Sequence, residues 1–154
     1  MALTGRRAVA APLRLIVLIC LLAAALAYLR DPPWVGAVTS GLGEWEREPS
    51  GIRFRWTSAH ATFYVPSGAA AMTLPLKGVF GETDGHPGTV EVSVDDRWLG
   101  SFTLADSNWI RPRLPLVRGS TGRRYRRVDL RVSRTVGPRK LGVKLGEVVA
   151  ETSR

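Results

Sequence analysis

From residue 52 onward, apolar and polar residues alternate with a period of two. In "IRFRW" Ile52, Phe54 and Trp56 share one face and Arg53 and Arg55 the other, and in "HATFYV" Ala61, Phe63 and Val65 oppose His60, Thr62 and Tyr64. The same rhythm runs through Met72, Leu74 and Leu76, through Val90, Val92 and Val94, and through Trp98, Phe102 and Leu104. It continues in Ile110, Leu114 and Leu116, then Val128, Leu130 and Val132, and ends in Leu141, Val143 and Leu145. Such alternation marks strands with one wet face, and the count predicts about eight of them. No amphipathic helix competes for 52–149. The expected fold is therefore all-β, an antiparallel β-sandwich or jelly roll preceded by one N-terminal apolar helix. Asp95-Asp96 in "VDDRW" tolerates left-handed backbone angles and predicts a tight hairpin. Glu147 falls on the inward parity after Leu145, which implies a bulge there or a functional carboxylate.

Ahead of the strands the pattern changes twice. Residues 31–51, "DPPWVGAVTSGLGEWEREPSG", hold three prolines and four glycines without sustained periodicity and read as a linker or irregular lead-in. Before them, Leu15–Leu29 is an uncharged apolar run, with Arg6, Arg7 and Arg14 on its N-terminal side. Fifteen helical residues rise about 22 Å, short of the hydrocarbon core of about 30 Å. Continuation through Ala8–Leu13 and snorkelling of Arg14 and Arg30 make a span possible. The rivals are a cleaved signal peptide, with "ALA" at 25–27 as its site, and a buried core helix. The last is disfavoured because the run is apolar all round and no other helix is available to cover it. The expected organisation is an anchor or signal over 1–30, a linker over 31–51, a β-sandwich over 52–149 and a tail over 150–154. With the arginines before the run, the positive-inside rule predicts a single-pass protein of the inner (cytoplasmic) membrane, its N-terminus cytoplasmic and its C-terminal domain extracytoplasmic.

Charge sharpens that reading. The formal net charge is +9, and between 111 and 144 twelve Lys or Arg face a single acid, Asp129. An extracytoplasmic domain is a poor fit to nucleic acid. The alternation of Arg127, Asp129 and Arg131 with Val128, Leu130 and Val132 makes part of this run the solvent side of a strand. Arg123, Arg124, Arg126 and Arg127 are the candidate face for an acidic partner, whether head group, polysaccharide or protein.

Catalytic patterns are missing. The two histidines, His60 and His86, lack zinc-hydrolase spacing, and no nucleophile elbow, phosphate loop or dinucleotide fingerprint occurs. The single cysteine, Cys20, excludes an intrachain disulfide and a cysteine-built metal site. Asp84, Asp95 and Asp96 are the acids available to a calcium ion, but the expectation is no metal, no cofactor and no enzymatic activity. The aromatics are more suggestive. Parity places Trp109 on the wet face beside Arg111 and Arg113, and Tyr64 there with His60. An exposed ring stacks on a sugar's apolar face while arginines bond its hydroxyl or acidic groups. The alternative is that Trp109 covers a sandwich end or packs against 31–51.

Two stretches, "VEVSVDDRWLGSFTL" and "RRVDLRVSRTVGPRKLGVKLGEV", resemble the jelly-roll modules of the galactose-binding-like kind. The first is similar to the family's hairpin with its V-x-V-D-x-R pattern. The second is similar to its basic strand, which leads through a proline-containing loop to a final G-V-x-L strand. The resemblance covers 51–149 and implies a carbohydrate-binding unit or an appendage of a membrane-bound glycan enzyme. It carries over no ligand residue, because such modules place ligands on variable loops. The sequence thus predicts a tethered β-sandwich that binds glycan or cell-envelope polysaccharide through Tyr64, Trp109, Arg111 and Arg113. The alternative is a non-catalytic subunit that docks an acidic envelope partner through its basic face.

Overall fold

The computed structural model describes residues 10–80, 86–117 and 122–152. It divides into two units, Met1–Pro33 and Trp34–Arg154. The first contains helix α1, Ala10–Arg30, whose side chains from Leu13 to Leu29 are exposed. Its 21 residues rise about 31 Å, longer than the apolar run alone and close to a hydrocarbon core.

The second unit is built from eleven strands among the described residues: β1 (Ser40–Arg47), β2 (Arg53–Pro66), β3 (Ala69–Thr73), β4 (Leu76–Lys77), β5 (Gly88–Val94), β6 (Arg97–Leu104), β7 (Trp109–Ile110), β8 (Arg113–Pro115), β9 (Tyr125–Val132), β10 (Lys144–Gly146) and β11 (Val149–Thr152). The larger sheet has the order β6-β5-β9-β2-β10-β4-β7, with β1 added to β2, and the smaller has β11-β3-β8. All the pairings are antiparallel. The all-β expectation holds.

The strand count exceeds the expected eight for two reasons. Residues 40–47, expected as linker, form β1 and pair with β2, so the irregular lead-in is shorter than its composition suggested. Successive described strands also change sheet five times, from β2 to β3, β3 to β4, β7 to β8, β8 to β9 and β10 to β11. Pro75 and Pro112 sit at two of these crossings, where an absent N–H ends a ladder. The crossing from β10 to β11 accounts for Glu147. The strand ends at Gly146 and Glu147 is exposed in the crossing, so its inward parity is never realised. β11 runs into the expected tail and pairs with Ala69–Thr73.

The core lies between the sheets and contains Ala61, Phe63, Val65, Met72, Leu74, Leu76, Val90, Val92, Val94, Val128, Leu130, Val132, Val143 and Leu145, as the alternation requires. Asp95 and Asp96 have φ of 49° and 64° and form the two-residue turn between Val94 and Arg97. Two left-handed residues match the twist of the flanking strands.

Parity fails at two places, each at an irregularity. Within β2 the buried positions are Phe54 and then Thr57, Ala61, Phe63 and Val65, so the parity of burial changes between Phe54 and Thr57, where the register against β1 also shifts. Phe54 and Trp56 therefore lie outside the main core, and Trp56 is only half-buried. The buried Thr57 hydroxyl accepts the Val143 N–H at 2.9 Å, and a Cβ on Gly142 would come within 2.5 Å of that oxygen, so close passage here requires glycine. The second failure is in β6. Val92 pairs with Gly100 but Ser93 pairs with Trp98, which leaves Leu99 as an extra residue. This bulge turns Trp98, expected inward, to the outside, where it is 68% exposed.

Candidate functional site

The outer face of β2, β9, β5 and β6 carries three polar rows. Residues directly opposite on neighbouring strands share a face. His60 opposes Arg131, which opposes Glu91, which opposes Ser101. Thr62 opposes Asp129, which opposes Ser93, which opposes Trp98. Tyr64 opposes Arg127. A groove of about 290 Å³ lies along these rows and is lined by His60, Thr62, Ser93, Asp96, Arg127, Asp129 and Arg131.

Its polar groups are held in place. Thr62 donates to Asp129 Oδ1 at 2.7 Å, and Arg127 Nε donates to Asp129 Oδ2 at 2.8 Å. The other side of the Arg127 fork bonds Asp96 of the hairpin turn. The hydrogen bond to Asp129 and its charge hold the guanidinium above its ordinary pKa. Asp129 thus presents a carboxylate of fixed orientation to solvent, with an unobstructed indole at the far end of its row. Trp98 was hidden from sequence reasoning because the bulge that exposes it has no signature in the alternation.

The basic run splits up. Arg123 and Arg124 are exposed, as expected of a partner face. Arg126 is not: it shares the inward parity of Val128 and is only 5% exposed. Its Nε donates to Asp95 Oδ2 at 2.8 Å and its Nη1 to the Val117 carbonyl, so the buried charge is compensated. This corrects its assignment to a solvent-facing patch. Asp95 accepts the Arg127 N–H as well, at 3.1 Å, so both its oxygens are engaged by the strand it faces. Asp84 lies outside the described residues. Among those described, no group of three His, Cys, Asp or Glu is placed to hold a metal ion.

The remaining expected residues sit elsewhere. Trp109 lies on β7, at the opposite edge of the sheet from Trp98, and is half-buried. A row across the sheet runs Trp56, Lys144, Lys77, Trp109. Glu48, from the supposed linker, closes over it, accepting from Lys144 at 2.8 Å, Lys77 at 3.1 Å and Trp109 Nε1 at 3.1 Å. The Lys144 ammonium also lies 4.4 Å from the centre of the Phe54 ring. Led by the Lys144 bond, with Trp109 and Lys77 in support and burial opposing, these contacts pull the Glu48 pKa down to about 2. Trp109 thus packs against the 31–51 segment. Arg113 is exposed on β8 and forms a two-pronged pair with Glu151, at 3.0 Å from Nε and 2.6 Å from Nη2. Arg111 lines a different, larger cleft. The structure therefore does not gather Tyr64, Trp109, Arg111 and Arg113 into one site.

In sequence the chain matches no protein-family model and no curated protein. In structure it is similar to a family two carbohydrate esterase from Cellvibrio japonicus, at 13% identity and a TM-score of 0.46, over 75% of this chain and 31% of that one. It is also similar to the CBM36-1 domain of a multidomain xylanase from the hindgut metagenome of Trinervitermes trinervoides. That match is at 10% identity and a TM-score of 0.45, over 72% of this chain and 86% of that one. A third is a family 43 arabinoxylan arabinofuranohydrolase from Bacillus subtilis, at 11% identity and a TM-score of 0.40, over 75% and 24%. The chain spans about a third or less of the esterase and the hydrolase. At these identities and TM-scores the likenesses assign no function.

Proposed function

We propose that the β domain is a non-catalytic glycan-binding module whose ligand lies along the Thr62–Asp129–Ser93–Trp98 row, and that α1 tethers it outside the cytoplasmic membrane. The observation that carries the binding reading is the 68% exposure of Trp98 on the same row as an oriented carboxylate. A sugar offers one apolar ring face and a rim of hydroxyls; the indole takes the first and Asp129, His60 and Arg131 take the second. Tyr64 flanks the row, so one of the expected site residues is kept, and Trp98 replaces Trp109. The carboxylates Asp96 and Asp129 are both engaged by Arg127, so neither is set up to donate a proton, which supports binding over hydrolysis.

Glycan-array and titration binding by the purified chain should weaken about tenfold or more in Trp98→Ala. Retained binding in that variant, with loss in a folded Trp109→Ala, would move the site to the other edge of the sheet.

The tether rests on the length of α1 and the arginines before it. A reporter fused after Arg154 should be active only outside the cytoplasm. Activity in the cytoplasm would overturn the topology and with it any envelope glycan as ligand.

A further inference from the structure

The crossings β3–β4, β7–β8 and β10–β11, together with the β1–β2 turn, enclose a second cleft of about 520 Å³ that shares no lining residue with the groove beside the Trp98 row. Three arginines line it, Arg47, Arg53 and Arg111. Arg47 and Arg53 are directly opposite each other in the β1–β2 ladder, a like-charge pairing that is unfavourable without an anion between them. Among the described residues none of the three forms an ion pair. Arg47 instead donates to the Gly51 carbonyl at 3.3 Å, and Arg53 stacks on Trp45 at 4.9 Å from the ring centre. One carboxylate, Glu147, stands in the lining, and Ile52 and Val149 add apolar surface.

We propose that this cleft binds the carboxylate-bearing sugar of an acidic glycan. The planar forks of the arginines match a carboxylate in two-pronged geometry. Glu147 accepts from ring hydroxyls, and the apolar side of the sugar ring rests on Ile52 and Val149. A phosphate dianion is a poorer occupant, because Glu147 repels its second charge and the apolar lining has nothing to contact. The site is distinct from the Trp98 groove, which needs no charge on its ligand.

The test is calorimetric titration of the full-length chain in a non-ionic detergent with trigalacturonate, neutral galactotriose and inorganic phosphate. Trigalacturonate should bind, and Arg111→Gln and Arg53→Gln should each weaken it about tenfold. Arg111→Lys should recover only part of that loss. The titrations are run in the Trp98→Ala background as well, where binding that remains and is lost with Arg111→Gln belongs to the cleft, so failure of the groove and failure of the cleft are told apart. All three arginines are exposed, so the variants are expected to keep the wild-type circular dichroism spectrum. In the Trp98→Ala background, absence of trigalacturonate binding, equal binding of galactotriose, or full affinity in both glutamine variants would each overturn the proposal. Displacement of trigalacturonate by an equal concentration of phosphate would do so too, and would mark a phosphoryl site.

Discussion

Leu130→Asp should unfold the β domain. Leu130 is 0% exposed at the centre of β9, paired with Ala61 on one side and Val92 on the other. A carboxylate there meets only apolar neighbours and costs about 3 kcal/mol or more. Net stabilities of domains this size are about 5–15 kcal/mol, so a change of that order removes a large part of the whole. Arg131→Ser, one residue on and exposed, should change stability by only about 0.5 kcal/mol. Urea unfolding followed by tryptophan fluorescence measures both. A tolerated Leu130→Asp beside a damaging Arg131→Ser would mean that β9 faces the other way.

Glu48→Ala should be nearly as damaging for the opposite reason, because it strands charges rather than introducing one. Lys77 and Lys144 oppose each other across the β4–β10 ladder and are mostly buried, with side chains 20% and 17% exposed. Without Glu48 two ammonium groups face each other with no counter-charge, at a cost of about 3 kcal/mol. Acid should imitate the substitution. The folded-state pKa of about 2 lies below the ordinary 4.5, so the stabilisation is complete above pH 4.5 and is lost as pH falls toward 2. Of about 3 kcal/mol in all, about 2 should be gone by pH 3. Unfolding of wild type and Glu48→Gln at pH 7 and pH 3 should therefore show a smaller acid loss in the variant. An identical loss in both would detach Glu48 from the acid response.

Legibility in the sequence followed the reach of each signal. Val128, Leu130 and Val132 were assigned correctly because their strand is regular and alternation is a property of adjacent residues. Arg126 shares their parity, and only its charge argued against burial; the compensating Asp95 lies 31 residues away and becomes its neighbour through the hairpin. Phe54, Trp56 and Trp98 were misassigned because an irregularity resets the count, and neither Arg55-Trp56 nor Leu99 declares one. The position of Trp109 depended on Glu48, in a segment without periodicity, so its covering was open to only one of two readings. The site residues suffered most. Which aromatics share a face with which cations is set by strand order, and strand order has no local imprint in the chain.

Strand β1 has a consequence for how the protein avoids its own kind. Phe54 is bracketed by Glu46 on β1 and Gly146 on β10, so the start of β2 is an interior strand only because β1 is there. Left open, Arg53–Thr57 would offer unpaired backbone donors and acceptors as a template for chain-to-chain sheet growth. β1 becomes the rim in its place, and it makes a poor template. Its register shifts twice, Gly41 takes a left-handed φ of 65°, and Glu44, Glu46 and Arg47 put charges along it. The segment whose composition suggested a passive linker thus works as a guard against aggregation.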